Sequence, residues 1–347
     1  MSAMIDYAER GLIPDPFIRF GIRKLLKDRI KEVPELTDQD YQHWTNLFIK
    51  DLEASPIATD TDAANDQHYE VPAEFFQHCL GKNLKYSSGY WENGARNLDE
   101  AEDHMLDLTI ERAGIKDGMK VLDMGCGWGS VSLRIAAKFP RCQVTGVSNS
   151  SSQKTFIEEQ ARQRQLTNLT IVTQDMNVFQ AEATFDRIVS VEMFEHMRNY
   201  EQLLQKVSTW LKDDGKLFIH IFCHKNSPYF FETEGDDNWM GRYFFTGGIM
   251  PSHQLLLYFQ KHLSIENQWI VNGTNYEKTS RAWLDNTDQK RHAILPVLEK
   301  TYGPEEAKLW LGRWRIFFLA CEELFGYRDG KEWWVSHYLF SKNKGST

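Results

Sequence analysis

Cysteine is scarce and scattered in this chain, with five residues at 79, 126, 142, 223 and 321. Their spacing forms neither a C-x-x-C zinc clasp nor a disulfide framework, so no metal is expected. Unpaired thiols suit a reducing compartment and point to a cytoplasmic protein. No run of 18 apolar residues occurs, which excludes an ordinary membrane-spanning helix. The opening MSAMIDYAERGLIPDPFIRF has acids early and no long apolar stretch, so no secretory signal is expected. A basic excess is missing too. The 40 Lys and Arg face 49 Asp and Glu, a net charge of −9, which disfavours a polyanion such as RNA or DNA as partner. There is no internal repeat and no low-complexity tract.

Aromatics are plentiful, at 21 Phe, 13 Tyr and 11 Trp. They could fill a core or line a pocket. The length of 347 residues allows two domains, or one with large insertions. Apolar and charged residues at helical spacing give an N-terminal helical region over 1–64, with helices at Asp6–Arg10, Phe17–Lys31 and Asp38–Glu53. The basic-apolar stretch FIRFGIRKLLKDRIKEV could lie on a membrane surface. Packing on the main domain or on a partner subunit, as in a homodimer, accounts for it more simply. Ile57–Ala64 reads as a polar linker.

Residues 65–347 form the main domain. A helix over Asp99–Ala113 leads into alternating strands at 119–123, 142–147, 169–173, 185–190 and 215–222, with helices at 130–139, 150–165 and 199–211. This rhythm predicts an α/β fold with a mostly parallel sheet covered on both faces. The rhythm breaks after His224. Asn226–Gly248 is rich in aromatics, acids and glycines and reads as a lid, part of an insertion over about 225–305. Helices are expected near 252–262, 276–290, 293–301 and 304–324, and a last strand at WWVSHYLFSK.

The most informative segment is VLDMGCGWGSVSLRIAAKF, Val121–Phe139. A strand ends at Asp123, three glycines follow at 125, 127 and 129, and a helix begins near Ser130. Glycine admits unusual backbone angles and lets a ligand come close. A dinucleotide fingerprint would read G-x-G-x-x-G and admit a pyrophosphate to the helix N-terminus. Here the pattern is D-x-G-x-G-x-G. An acid beside the turn repels pyrophosphate but suits a ligand with a cationic amino-acid end and no phosphate, such as S-adenosylmethionine. The pattern resembles the class I, Rossmann-like methyltransferase signature.

Further motifs narrow the resemblance: HYEVP, LKYSSGYW, VTGVSNSSSQ, VEMFEHM, HIFCHK, WMGRYFFTGG and ILPVLEKTYG. Together with the glycine turn they resemble the cyclopropane fatty acid synthase superfamily. Within it they are much more like the plant coclaurine and related benzylisoquinoline N-methyltransferases. The resemblance implies S-adenosylmethionine as cofactor, S-adenosylhomocysteine as product and a small amine as substrate. It places Tyr86 and Ser87 at the methionine carboxylate, with Asp123, Gly125, Cys126, Gly127 and Val191 against the cofactor. Ser148, Asn149 and Gln153 would meet the ribose with neutral groups. Asp175 and Met176 would hold the adenine, by a carboxylate acceptor and a thioether face.

Glu192, Glu195 and His196 in VEMFEHM follow the fourth strand, at the sheet edge where open α/β folds bind ligands. A helical turn would bring all three together. Methylating an amine needs an uncharged lone pair, and an amine with a pKa near ~10 is mostly protonated at neutral pH. His196 suits the base, Glu195 would hold the amine and Glu192 would bind the cation. Tyr90, His220, Trp239, Tyr243, Phe244 and Phe245 are candidates for the substrate cavity. In the cyclopropane synthases the histidine matching His220 helps hold a bicarbonate base, with a cysteine where Ser88 stands here. That cage is incomplete in this chain, which favours nitrogen over carbon as the methyl acceptor. The alternatives are a fatty-acyl phospholipid cyclopropane synthase or another carbon methyltransferase and, further off, an inactive scaffold subunit.

Overall fold

A computed structural model describes residues 3–32, 38–59, 71–235 and 238–343. Helices α1 (Ala3–Glu9), α2 (Asp15–Glu32) and α3 (Asp38–Ala54) come first, followed by α4 (Ala73–Cys79) and α5 (Leu98–Ala113). The central alternation is β1 (Lys120–Met124), α6 (Ser130–Lys138), β2 (Gln143–Ser148), α7 (Ser151–Gln163), β3 (Leu169–Thr173), β4 (Phe185–Val191), α8 (Tyr200–Trp210) and β5 (Leu211–His224). After it come β6 (Tyr229–Phe230), α9 (Trp239–Tyr243), β7 (Ile249–Met250), β8 (Leu263–Val271), α10 (Thr274–Gln289), α11 (Arg291–Tyr302), α12 (Ala307–Gly326) and β9 (Trp333–Lys342).

Seven strands form one sheet in the order β3-β2-β1-β4-β5-β9-β8. Strands β1 to β5 run parallel, and β9 and β8 turn antiparallel at the far side. Alternate residues of a strand face opposite layers. Accordingly Val121 packs with Ile110 and Ile135, while Leu122 and Met124 pack with Leu203 and Val207. The sheet is covered on both faces, as parallel sheets require. Helix α5 is stopped by Asn97, whose side chain accepts the Glu100 N–H, and by Gly114 in a left-handed conformation.

The N-terminal helices dock on the main body. Arg19 donates to Glu322 and Glu323 of α12 at 2.7 and 2.6 Å, and Arg315 pairs with Asp15 at 3.1 Å. Glu9, only 1 % exposed, accepts from the Trp239 indole at 2.7 Å.

Three expectations need correction. Residues 252–262 are not a helix. Leu255, Leu256 and Phe259 plug the core through one 3-10 turn, Leu255–Tyr258. Residues 263–271, unassigned in the sequence, run as β8 because pairing with β9 supplies their backbone partners. The span 225–305 is therefore not one insertion, since it contains the outer strand of the main sheet. The start of the expected linker is also buried. Ala58 bridges to Met197 and donates its N–H to Asn177. The boundary at 64 and residues 68–70 of HYEVP lie outside the described residues. Among the described residues no helix is long and apolar enough to cross a membrane.

Candidate active site

The turn after β1 opens the site at the C-terminal edge of the parallel strands. Gly125, Gly127 and Gly129 all have positive φ, at 72°, 51° and 82°, a region that strains residues with a Cβ. Two of these glycines are closely packed. A Cβ on Gly125 would meet Met193 at 2.8 Å, and one on Gly129 would meet Ile157 at 2.7 Å. A Cβ on Gly127 would meet nothing within 4 Å; that position faces open cavity. Asp123, 1 % exposed, accepts the Ser132 hydroxyl at 2.7 Å, and burial pushes its carboxyl up to about 6.

Two adjoining cavities share Gly125, Gly127, Gln153 and His196. The first is lined also by Ser148, Asn149, Asp175, Met176 and Thr246. The second is lined by Tyr86, Ser87, Asp123, Cys126, Val191, Glu192 and the aromatics Phe222, Phe245, Tyr276 and Phe317. Every residue assigned to the cofactor from sequence thus lies on one of these walls. The Ser148 hydroxyl donates to the Gln153 side-chain oxygen at 2.6 Å, which ties the end of β2 to α7. The Asp175 carboxylate accepts the Asn177 N–H at 2.6 Å.

The VEMFEHM turn is not a regular helix. Glu192 takes φ 48°, and Phe194–His196 form a 3-10 turn. This geometry presents Glu192 and His196 to the cavity and turns Glu195 away. The His196 ring stacks on Phe245, with centroids 5.6 Å apart and planes 10° from parallel. Glu192 is held firmly. Its Oε1 accepts from the Ser88 N–H at 3.0 Å and lies 3.1 Å from His220 Nε2, while Oε2 accepts from the Tyr276 hydroxyl at 2.7 Å. Burial raises its carboxyl to about 7, against the opposing pull of Lys85. Lys85, fully buried, donates to Ser87 Oγ and to the Ser88 carbonyl. Burial pulls its ammonium down to about 8, with Glu192 and Glu102 acting the other way.

Several candidates lie elsewhere. Glu195 lines neither cavity. It is fully buried, its Oε1 accepts the Phe222 N–H at 2.7 Å, and its Oε2 lacks a partner among the described residues. Burial, reinforced by Glu192, pushes its carboxyl well above the ordinary carboxylate range. His220 is fully buried behind Glu192. Phe244 stacks on Phe317 in the core at 4.3 Å, Arg313 lies over the Tyr243 ring at 4.2 Å, and Trp239 is engaged by Glu9. The Tyr90 hydroxyl donates to Glu92 at 3.2 Å. Of the aromatic set, Phe245 lines one of these two cavities and the others line neither. Sequence reasoning missed Lys85, Tyr276 and Phe317. Lys85 sits inside LKYSSGYW beside residues assigned to the cofactor, but Tyr276 and Phe317 carry no local signal, because helix α10, helix α12 and the 81–91 segment converge only in three dimensions. Among the described residues no cluster of three or more His, Cys, Asp or Glu is placed to hold a metal ion.

A sheet of this order, with a glycine turn after its first strand and a ligand cleft at the parallel strands' C-terminal ends, defines a class I, Rossmann-like S-adenosylmethionine methyltransferase fold. The chain belongs to the mycolic acid cyclopropane synthetase family, whose family model matches residues 58–331. It is 41% identical over 337 residues to (S)-coclaurine N-methyltransferase of Papaver somniferum, covering 96% of each chain. It is 37% identical to pavine N-methyltransferase of Thalictrum flavum subsp. glaucum, covering 99% of this chain and 97% of that one. The crystal structure of coclaurine N-methyltransferase bound to N-methylheliamine and S-adenosylhomocysteine superposes with a TM-score of 0.94. It shares 40% identity and covers 98% of this chain and 99% of that one.

Proposed function

We propose that this protein transfers a methyl group from S-adenosylmethionine to the nitrogen of a small amine bearing an aromatic ring. The observation that carries this is the joint exposure of Glu192 and His196 to an aromatic-walled cavity that continues into the glycine-turn cavity. The solved coclaurine N-methyltransferase holds a methylated amine together with S-adenosylhomocysteine, and we expect the same two ligand chemistries here.

Tyr86, Ser87, Asp123, Gly125, Cys126 and Gly127 would receive the methionine end. Ser148, Asn149 and Gln153 would meet the ribose, and Asp175 and Met176 the adenine. The open space at Gly127 and the acid beside the turn support this fit. When bound, the cofactor supplies an electrophilic methyl group on a sulfonium. Glu192 attracts the substrate ammonium through its charge. His196, oriented by its stack on Phe245, takes the amine proton so that the lone pair can attack. Glu195 holds the turn against β5 through the Phe222 N–H and does not touch the amine. Phe222, Phe245 and Phe317 give flat walls for a ring or a cation. Phe245 and Thr246 reach the site from the Asn226–Gly248 segment, which supports reading that segment as a lid. All five cysteines are buried free thiols, which supports a reducing, cytoplasmic setting.

Incubation with methyl-labelled cofactor and a mixed panel of aromatic amines and unsaturated phospholipids tests the reading by mass spectrometry. N-methylated amines with unchanged lipid are expected. Cyclopropanated lipid with untouched amines would reverse the assignment.

A further inference from the structure

Behind Glu192 a line of side chains crosses the sheet. His220 on β5 lies directly opposite His337 on β9 in the antiparallel register, with ring centroids 4.7 Å apart. His220 Nε2 is 3.1 Å from Glu192 Oε1, and His220 Nδ1 is 2.9 Å from His337 Nε2. His337 Nδ1 is 2.7 Å from Arg112 Nη1 in the last turn of α5. Arg112 is steadied at its other side by the Trp269 ring of β8, 5.0 Å away. Both histidines are fully buried, and neither Arg112 nor His337 lines either of the two site cavities.

The direction of this line follows from its far end. A guanidinium can only donate. His337 Nδ1 must therefore be a bare acceptor, which puts the His337 hydrogen on Nε2. That hydrogen is donated to His220 Nδ1, which must also be bare. The His220 hydrogen is left on Nε2, pointing at Glu192. Burial and the nearby charges of Arg112 and Lys85 hold both imidazoles well below their ordinary range, so both are neutral.

We propose that Arg112 and His337 are positioning residues for methyl transfer: they lock His220 as its Nε2–H tautomer, and that hydrogen holds the Glu192 carboxylate toward the amine. The proposal rests on the assignment of Glu192 to the amine site. The other groups facing Glu192 are Lys85 and the Ser88 N–H, Tyr276 of α10, Cys321 of α12, and Glu195 on its own turn. None of them constrains the His220 tautomer. Without His337 the His220 hydrogen is free to move to Nδ1, which turns a lone pair toward the carboxylate. Losing a donor, Glu192 becomes easier to protonate.

The test combines two readouts on the full chain. Nitrogen NMR of 15N-imidazole-labelled protein, without substrate, reads the tautomers directly. It decides the relay even if no amine is methylated. Wild-type His220 should carry its hydrogen on Nε2, as should His337→Gln, whose amide N–H can still donate to His220. His337→Phe and Arg112→Met should lose that preference, and Arg112→Lys should keep it. In kinetics, the acid limb of kcat/KM should move up by about one pH unit in His337→Phe and Arg112→Met, a loss of about tenfold below the limb. It should stay in place for His337→Gln and Arg112→Lys. Arg112→Met serves if His337→Phe does not fold. A wild-type His220 protonated on Nδ1, or an unmoved acid limb in a folded His337→Phe or Arg112→Met, overturns the proposal.

Discussion

Burial divides the chemistry of one short turn. Glu195, sealed from the cavity, favours its protonated form, while Glu192 is drawn to about 7 by opposing influences and His196 stands at the wall. The Glu195 carboxyl is raised in the folded state, so its protonated form is the one that folding prefers. Its stability contribution is complete below the unfolded carboxylate range and is lost as pH rises toward the folded value. Glu195→Gln keeps the acceptor for the Phe222 N–H and cannot ionise. We expect this variant to match wild type below about pH 4 and to gain on it above, by up to about 1.4 kcal/mol per pH unit. Urea unfolding across pH checks this, and a constant difference would show that Glu195 does not titrate on unfolding. His196→Ala should lower turnover by on the order of 10²- to 10⁴-fold near neutral pH. The loss should shrink toward the amine's own pKa near ~10, where solution deprotonation replaces the base. A pH–rate profile against wild type decides it; a defect equal at every pH would leave His196 a positioning role only. VEMFEHM was legible as a candidate site because acids and an imidazole cluster after a strand. The seclusion of Glu195 was not, because the positive φ of Glu192 replaces the regular helical turn that spacing suggests.

Among the elements, the β1–α6 turn shows how three similar glycines do different work. Gly125 and Gly129 allow close packing against Met193 and Ile157, whereas Gly127 borders open cavity. Gly127→Val should therefore abolish S-adenosylhomocysteine binding at a folding cost limited to backbone strain, about 1–2 kcal/mol. Gly125→Ala should cost more stability, because its Cβ meets a buried side chain. Calorimetric titration paired with thermal melts separates the two. Near-native affinity in a folded Gly127→Val would remove this turn from the cofactor site. The turn and the five parallel strands were legible because apolar runs alternate with helical periodicity there. Strand β8 was not. Its sequence LSIENQWIV alternates poorly, its burial is partial, and only the neighbouring β9 makes it a strand. Similarly, the aromatics of α9 and the residue that follows it read as a pocket, but Trp239 and Phe244 complete the core.

For the whole molecule, the fold brings four distant stretches to the end of the parallel strands: the 81–91 segment, the turn after β4, helix α10 and helix α12. That convergence completes the candidate site, and only the fold shows it. The acidic balance of the chain agrees with a cationic substrate and disfavours a polyanion. The most direct measurement is a crystal structure of the protein with S-adenosylhomocysteine and an aromatic amine. The account predicts the nucleoside product along Gly125–Gly127, Gln153 and Asp175, with the amine nitrogen between its sulfur and the Glu192–His196 wall. An amine bound away from both residues, with its nitrogen facing neither the sulfur nor that wall, would contradict the account.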